Sequence, residues 1–259
     1  MRPIAFFDSG IGGLSVLAAA KELLPGERFV YYGDNGRAPY GERTAEEIFD
    51  YTVECVLELM HLNIKALVLA CNTATSVTVE TLRSRLEIPV ISMEPAIKPA
   101  FAMRKKGRVA VMATPATLDQ PRFLNLLQRF DREQSALLLP CSDLVGLIEA
   151  GDFESPKIEA CIEEVFTPHV GAAIDAVVLG CTHFVLVEET VQRVCQRLFP
   201  GAKTVHGNEG TVRHLARVLG QRGLLSEGAG EGGVEFYSSG DANRLRDIFL
   251  RIAGAKTRT

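Results

Sequence analysis

Two cysteines stand in matched settings. Residues 66–74 read ALVLACNTA and residues 176–184 read AVVLGCTHF. Each stretch is an apolar run, a small residue, a cysteine, and then a polar residue with threonine or asparagine, and Cys71 and Cys181 hold the same place in both. A thiol has an ordinary pKa of about 8.5, and a helix start favours its thiolate. Two thiols of this kind suit inversion at the α-carbon of an amino acid. One takes the proton from one face, and the other returns a proton to the opposite face. The charge that grows on the substrate carboxylate needs donors. Ser9, Asn72, Thr73, Thr117 and Thr182 all fall at expected strand ends, where such donors belong. Asp8 and His183 are the expected helpers, because a carboxylate or an imidazole can tune a thiol or hold an ammonium group.

Other chemistry is open to the same residues. Cys71, Cys181, His183 and Asp8 are a possible zinc set, although the Cys-x-His spacing is tight and the remaining ligands are distant in sequence. A cysteine hydrolase using His183 leaves the second cysteine without a role. A non-catalytic binding protein with two thiols in its cleft is the third alternative. No pyridoxal lysine motif is evident, and neither a cofactor nor a metal is expected.

The elements that must position these residues alternate between strands and helices. Residues 4–7 read as a short buried parallel strand that ends at Asp8. A glycine-rich turn follows, then a helix from Leu14 to Leu24, stopped by Pro25 and Gly26. That turn aims backbone N–H groups at a small anion such as a carboxylate. A second strand at 29–32 leads into the polar loop 33–41, and a helix at 42–62 buries Ile48, Val53, Val56, Leu57 and Met60, with Cys55 in the core. The first cysteine strand and a helix at 74–86 come next, then a strand at Val90 and a helix opened by Glu94 and Pro95. The theme restarts at 109–113, with a helix running to about Phe130 and a strand at 137–139. Helices at 143–149 and 156–170 precede the second cysteine strand, whose helix spans 185–198. A strand at 202–205, a helix at 211–219, a loop at 220–233, a strand at 234–237, a helix at 241–252 and a frayed end at 257–259 complete the chain. Such alternation predicts parallel sheets covered on both faces. The repeated cysteine pattern, about one small domain apart, predicts two similar α/β halves with a cleft between them.

Composition narrows the partners. The chain has 259 residues, a formal charge of -4 and 47% hydrophobic residues. These values fit a soluble globular protein and give no basic face for nucleic acid. No apolar run reaches membrane-spanning length, and the N-terminal run is too short for a signal peptide. A cytoplasmic protein with six cysteines, mostly as thiols rather than disulfides, is expected.

Several blocks in order resemble the glutamate racemases along nearly the whole chain. They are FDSGIGGLSVL at 7–17, YYGDNGRAPYG at 31–41, ACNTAT at 70–75, EPAIKPA at 94–100, ATPAT at 113–117 and GCTHF at 180–184. The resemblance implies a cofactor-independent enzyme that makes D-glutamate for peptidoglycan. It implies that Cys71 works on D-glutamate and Cys181 on L-glutamate, with Asp8 and His183 assisting. Ser9, Tyr40, Gly41, Asn72, Thr73, Thr117 and Thr182 match residues that hold the two carboxylates and the amino group. Glu149 matches an acidic residue near the histidine side of the site. The implied fold is two flavodoxin-like three-layer α/β domains with the active site in the cleft between them. The first comprises 1–96 and 207–259, and the second 97–206. A homodimer and activation by a cell-wall precursor are implied as family habits. The chain departs from the family pattern at His206-Gly207, where aspartate-serine is usual, at Val185, where proline is usual, and at Gln120, near a common serine. Relatives that racemise aspartate share the two-cysteine plan, so another small acidic amino acid is the alternative substrate.

Overall fold

The computed structural model describes residues 2–226 and 232–256, with the side chains of residues 255 and 256 excepted. The chain divides into two compact units, 1–93 with 208–259, and 94–207. The expected frayed end at 257–259 and residues 227–231 of the expected loop lie outside the described residues.

The first unit opens with β1 (Ile4–Asp8), α1 (Leu14–Leu23), β2 (Phe29–Gly33), α2 (Ala45–Met60), β3 (Ala66–Leu69), α3 (Asn72–Arg85) and β4 (Val90–Ser92). The second unit holds α4 (Ile97–Met103), β5 (Arg108–Ala113), α5 (Pro115–Leu118), α6 (Pro121–Phe130), β6 (Ala136–Pro140) and α7 (Asp143–Glu149). It continues through α8 (Pro156–Phe166), β7 (Ile174–Leu179), α9 (Thr182–Val185), α10 (Glu188–Leu198) and β8 (Lys203–Val205). The chain then returns to the first unit as α11 (Asn208–Gln221), β9 (Val234–Ser238) and α12 (Ala242–Lys256). On that return the Asn208 amide donates to the Ser15 hydroxyl at 2.9 Å.

Both sheets are wholly parallel. The first runs β9-β2-β1-β3-β4 and the second β6-β5-β7-β8. Apart from β9, the two orders are the same, so β1, β2, β3 and β4 correspond to β5, β6, β7 and β8. This is the flavodoxin-like winding. Strands β1, β2 and β3 are buried along their whole length, as continuous apolar runs covered on both faces must be. Ala5, Phe7, Val30, Leu67 and Leu69 pack against α2 and α3, while Tyr31 meets Phe236 and Phe236 meets Phe249 of α12. In the second unit Val109, Val111, Ala176 and Val178 pack against Ile97, Ala100 and Phe123.

Local chemistry shifts several expected elements. Helix α2 starts at Ala45 because Thr44 and Glu47 form a capping box, and a short 3-10 turn, Tyr40–Glu42, precedes it. Its buried face is Ile48, Thr52, Cys55, Val56 and Leu59, at helical spacing, and Leu57 points outward instead. Pro95 does not open a helix: Met93 still pairs with Leu69, and α4 begins only after Ala96. The expected helix to Phe130 is split, because Pro121 forces Gln120 into extended backbone. The helix after Cys181 is also two pieces, α9 and α10, parted at Leu186 and Val187.

At the end of the first sheet away from Cys71, Lys65 and Glu27 form a buried ion pair. Lys65 Nζ lies 2.6 Å from Glu27 Oε2 and donates to the Leu224 carbonyl at 2.7 Å, while Ser226 N–H donates to Glu27 Oε1 at 2.8 Å.

Candidate active site

The two units carry their cysteines on the same backbone plan. In the first, Ala70 N–H donates to the Phe7 carbonyl at 2.8 Å and Asp34 N–H to the Asp8 carbonyl at 3.0 Å. In the second, Gly180 N–H donates to the Met112 carbonyl at 2.7 Å and Cys141 N–H to the Ala113 carbonyl at 2.9 Å. Cys71 follows β3 and Cys181 follows β7, each beside the first strand of its unit. There the winding reverses, which is where sheets of this kind bind ligands. The approach at Gly180 is close, since a Cβ there would lie 2.7 Å from the Met112 carbonyl oxygen.

Cys71 is the N-cap of α3. Its sulfur accepts the Ala74 N–H at 3.4 Å and lies 3.4 Å from the Ser9 hydroxyl. The thiol therefore sits at the positive end of a 14-residue helix. Asp8 ends β1, fully buried, with Oδ1 accepting the Gly10 N–H at 2.9 Å. The Tyr31 hydroxyl donates to the Gly10 carbonyl at 2.7 Å and fixes the turn beyond it. Gly13 belongs to the same close packing: a Cβ there would lie 2.7 Å from that of Asp8. Asn72 and Thr73 form the first turn of α3 and are buried. Among the described residues Asn72 Oδ1 has no hydrogen-bond partner, so it can accept from a ligand ammonium. The turn carrying Tyr40 and Gly41 packs against α3. The Tyr40 hydroxyl is directed at Asp34, 2.5 Å from Oδ2.

Cys181 has other company. Its helix, α9, is one turn long and its sulfur makes no cap bond. Instead the sulfur lies 3.6 Å from His183 Nδ1, and His183 Nε2 lies 2.6 Å from Glu149 Oε1. Glu149 is the last residue of α7, which packs against α9. Burial alone pushes the His183 imidazole down. The bonds to Cys181 and Glu149 and the Glu149 charge outweigh burial and hold its pKa well above the ordinary value of 6.5. Thr182 is buried beside them. On the neighbouring strand end, Thr114 caps α5 and its hydroxyl lies 3.0 Å from that of Thr117.

The structure thus gathers Asp8, Ser9, Tyr40, Gly41, Cys71, Asn72 and Thr73 in the first unit. It gathers Thr117, Glu149, Cys181, Thr182 and His183 in the second. Among the described residues no three His, Cys, Asp or Glu side chains form a group that could hold a metal ion. Sequence reasoning missed Asp34 and Thr114. Asp34 had a signal, a carboxylate directly after an apolar strand with Arg37 one helical turn on. Thr114 had one as well, a threonine before proline at a strand end, which is a helix-cap pattern.

A family model described as Asp/Glu/Hydantoin racemase matches residues 14–215. The chain belongs to this family. The glutamate racemase of Clostridium perfringens is 39% identical over 257 residues, covering 98% of this chain and 97% of that protein. The crystal structure of glutamate racemase isoform RacE1 from Bacillus anthracis superposes with a TM-score of 0.86 at 30% identity, over 98% of this chain and 94% of that one. Glutamate racemase from Francisella tularensis, in complex with D-glutamate, gives a TM-score of 0.82 at 25% identity, over 98% and 94%. As a member of the family, the chain has the two-unit parallel α/β fold seen in these neighbours.

Proposed function

We propose that the protein interconverts L-glutamate and D-glutamate without a cofactor, through α-proton transfer by Cys71 and Cys181. One observation carries this reading. The family's two strand-end thiols stand on the same backbone plan, yet each has its own proton-handling neighbours. With D-glutamate, the Cys71 thiolate takes the α-proton and becomes a thiol. The electron pair spreads onto the α-carboxylate, where buried hydroxyls and helix N–H groups favour the charge. The Cys181 thiol then gives its proton to the opposite face of the carbon and becomes a thiolate. His183, held by Glu149, is the group that can exchange that proton with Cys181 between turnovers. Asn72 Oδ1 suits the substrate ammonium.

Among the described residues no helix is long and apolar enough to cross a membrane, and no cysteine is in a disulfide. A cytoplasmic enzyme supplying D-glutamate for peptidoglycan is consistent with both. A homodimer and a response to a cell-wall precursor accompany this reading through the family resemblance. Sedimentation and precursor addition test them. The reaction itself is tested with chelator-treated protein and D-glutamate, or D-aspartate, in D₂O. Inversion of glutamate with loss of the α-proton signal is expected. Conversion of aspartate alone, or no exchange with either, overturns the assignment.

A further inference from the structure

We infer that Asp34 is a positioning residue for the Cys71 half of the site, its buried carboxylate fixing the turn that carries Tyr40 and Gly41. Only the kinetic part of this inference rests on the racemase reading above.

Asp34 follows β2, and its side chain is fully buried. Arg37 Nε donates to Oδ1 and Oδ2 at 3.0 and 2.9 Å, the Tyr40 hydroxyl to Oδ2 at 2.5 Å, and the Ser239 hydroxyl to Oδ1 at 2.5 Å. A buried carboxylate is costly unless it is paired and hydrogen-bonded, and here both conditions hold. Arg37 is itself held, donating to Glu54 at 2.6 Å and lying 4.5 Å over the Tyr51 ring.

The second unit acts as an internal control. Its backbone makes the same strand-end hydrogen bond, but with Cys141 in the place of Asp34. The winding therefore does not need a carboxylate there. What differs is what the first unit adds. It alone has the fifth strand, β9, and just beyond β9 the Ser239 hydroxyl reaches Asp34 and accepts the Gly36 N–H at 3.0 Å. Ser238 ties the same loop through the Gly33 carbonyl at 2.8 Å. The loop so fastened ends in the turn that packs on α3, and Tyr40 and Cys71 share one cluster of buried side chains. The extra strand thus clamps, through Asp34, the wall beside one catalytic thiol and not the other.

The test is alkylation of each cysteine by iodoacetamide in the intact protein, resolved by peptide mass spectrometry, with Cys181 as internal reference. In Asp34→Asn and Ser239→Ala, Cys71 should react about tenfold faster relative to Cys181, because the loop opens locally. KM for glutamate should rise with kcat little changed. Ser239→Thr, which keeps the hydroxyl, should restore wild-type behaviour. The Ser239 pair decides the matter even where Asp34→Asn fails to fold. A wild-type thiol ratio in Ser239→Ala, or equal changes at both cysteines, overturns the inference. If the wild type does not racemise glutamate, the function above falls, and the thiol ratio still decides for or against Asp34.

Discussion

Glu149 grips His183 on the nitrogen that does not face Cys181: Oε1 lies 2.6 Å from Nε2, while Nδ1 lies 3.6 Å from the sulfur. A carboxylate in that place sets which nitrogen carries a proton and favours the charged ring. Cys71 is set differently: its sulfur lies 3.4 Å from the Ser9 hydroxyl and accepts the Ala74 N–H at 3.4 Å. The two thiols therefore have different immediate surroundings.

The His183–Glu149 pair should make stability depend on pH. Burial lowers the proton affinity of His183, and the Cys181 and Glu149 interactions more than reverse that, so the folded pKa is raised. A raised folded pKa gives stability that is complete below the unfolded value and is lost as pH climbs through the folded value. The gap in melting temperature between wild type and Glu149→Gln should be widest below about pH 6.5 and should shrink at alkaline pH. A gap that stays constant across the range would contradict this account.

Removing one thiol should stop racemisation. Cys71→Ala and Cys181→Ala should each show no measurable interconversion by chiral chromatography, with circular dichroism near wild type. His183→Asn should retain binding and lose about 100-fold or more in kcat, the usual scale for a lost acid–base group. Full activity in either cysteine variant would sink the two-thiol mechanism.

Thr114 should matter in two ways. As the cap of α5 it should cost about 1 kcal/mol when replaced by alanine. The substitution also takes away the hydroxyl that lies against Thr117, so KM should rise more than kcat falls. Urea unfolding and steady-state kinetics on Thr114→Ala check both parts.

The buried Lys65–Glu27 pair should matter to folding alone. Lys65→Ala leaves a carboxylate stranded in the interior and should lower stability by about 3–5 kcal/mol. Because Lys65 lies at the far end of β3 from Cys71, kcat per folded molecule should be unchanged. A urea series paired with activity at low denaturant separates the two.

The parallel α/β class was legible because stretches such as residues 4–7 and 66–69 are continuous apolar runs, and helices separate them. Short-range chemistry was harder to read. Pro95 looked like a helix opener, yet the ladder bond from Met93 to Leu69 keeps the chain extended just before it. Leu57 looked like core, but the buried stripe of α2 is set by Thr52 and Cys55, which hydropathy alone ranks lower. Asp34 has local partners in Arg37 and Tyr40, but its partner Ser239 lies 205 residues away and no local pattern announces it. Likewise Ala70 and Gly180 occupy equivalent steps, and only the packed backbone reveals why the second leaves no room for a methyl group.

The return of the chain to its first unit also sets an order of birth. A ribosome releases 94–207 as one uninterrupted piece, so the half bearing Cys181 has all four of its strands before β9 is made. The half bearing Cys71 is begun before that piece and completed after it: its edge strand, and the serine that reaches Asp34, emerge only once 94–207 has been made. A nascent chain stalled before β9 would carry both thiols with only one of them properly housed.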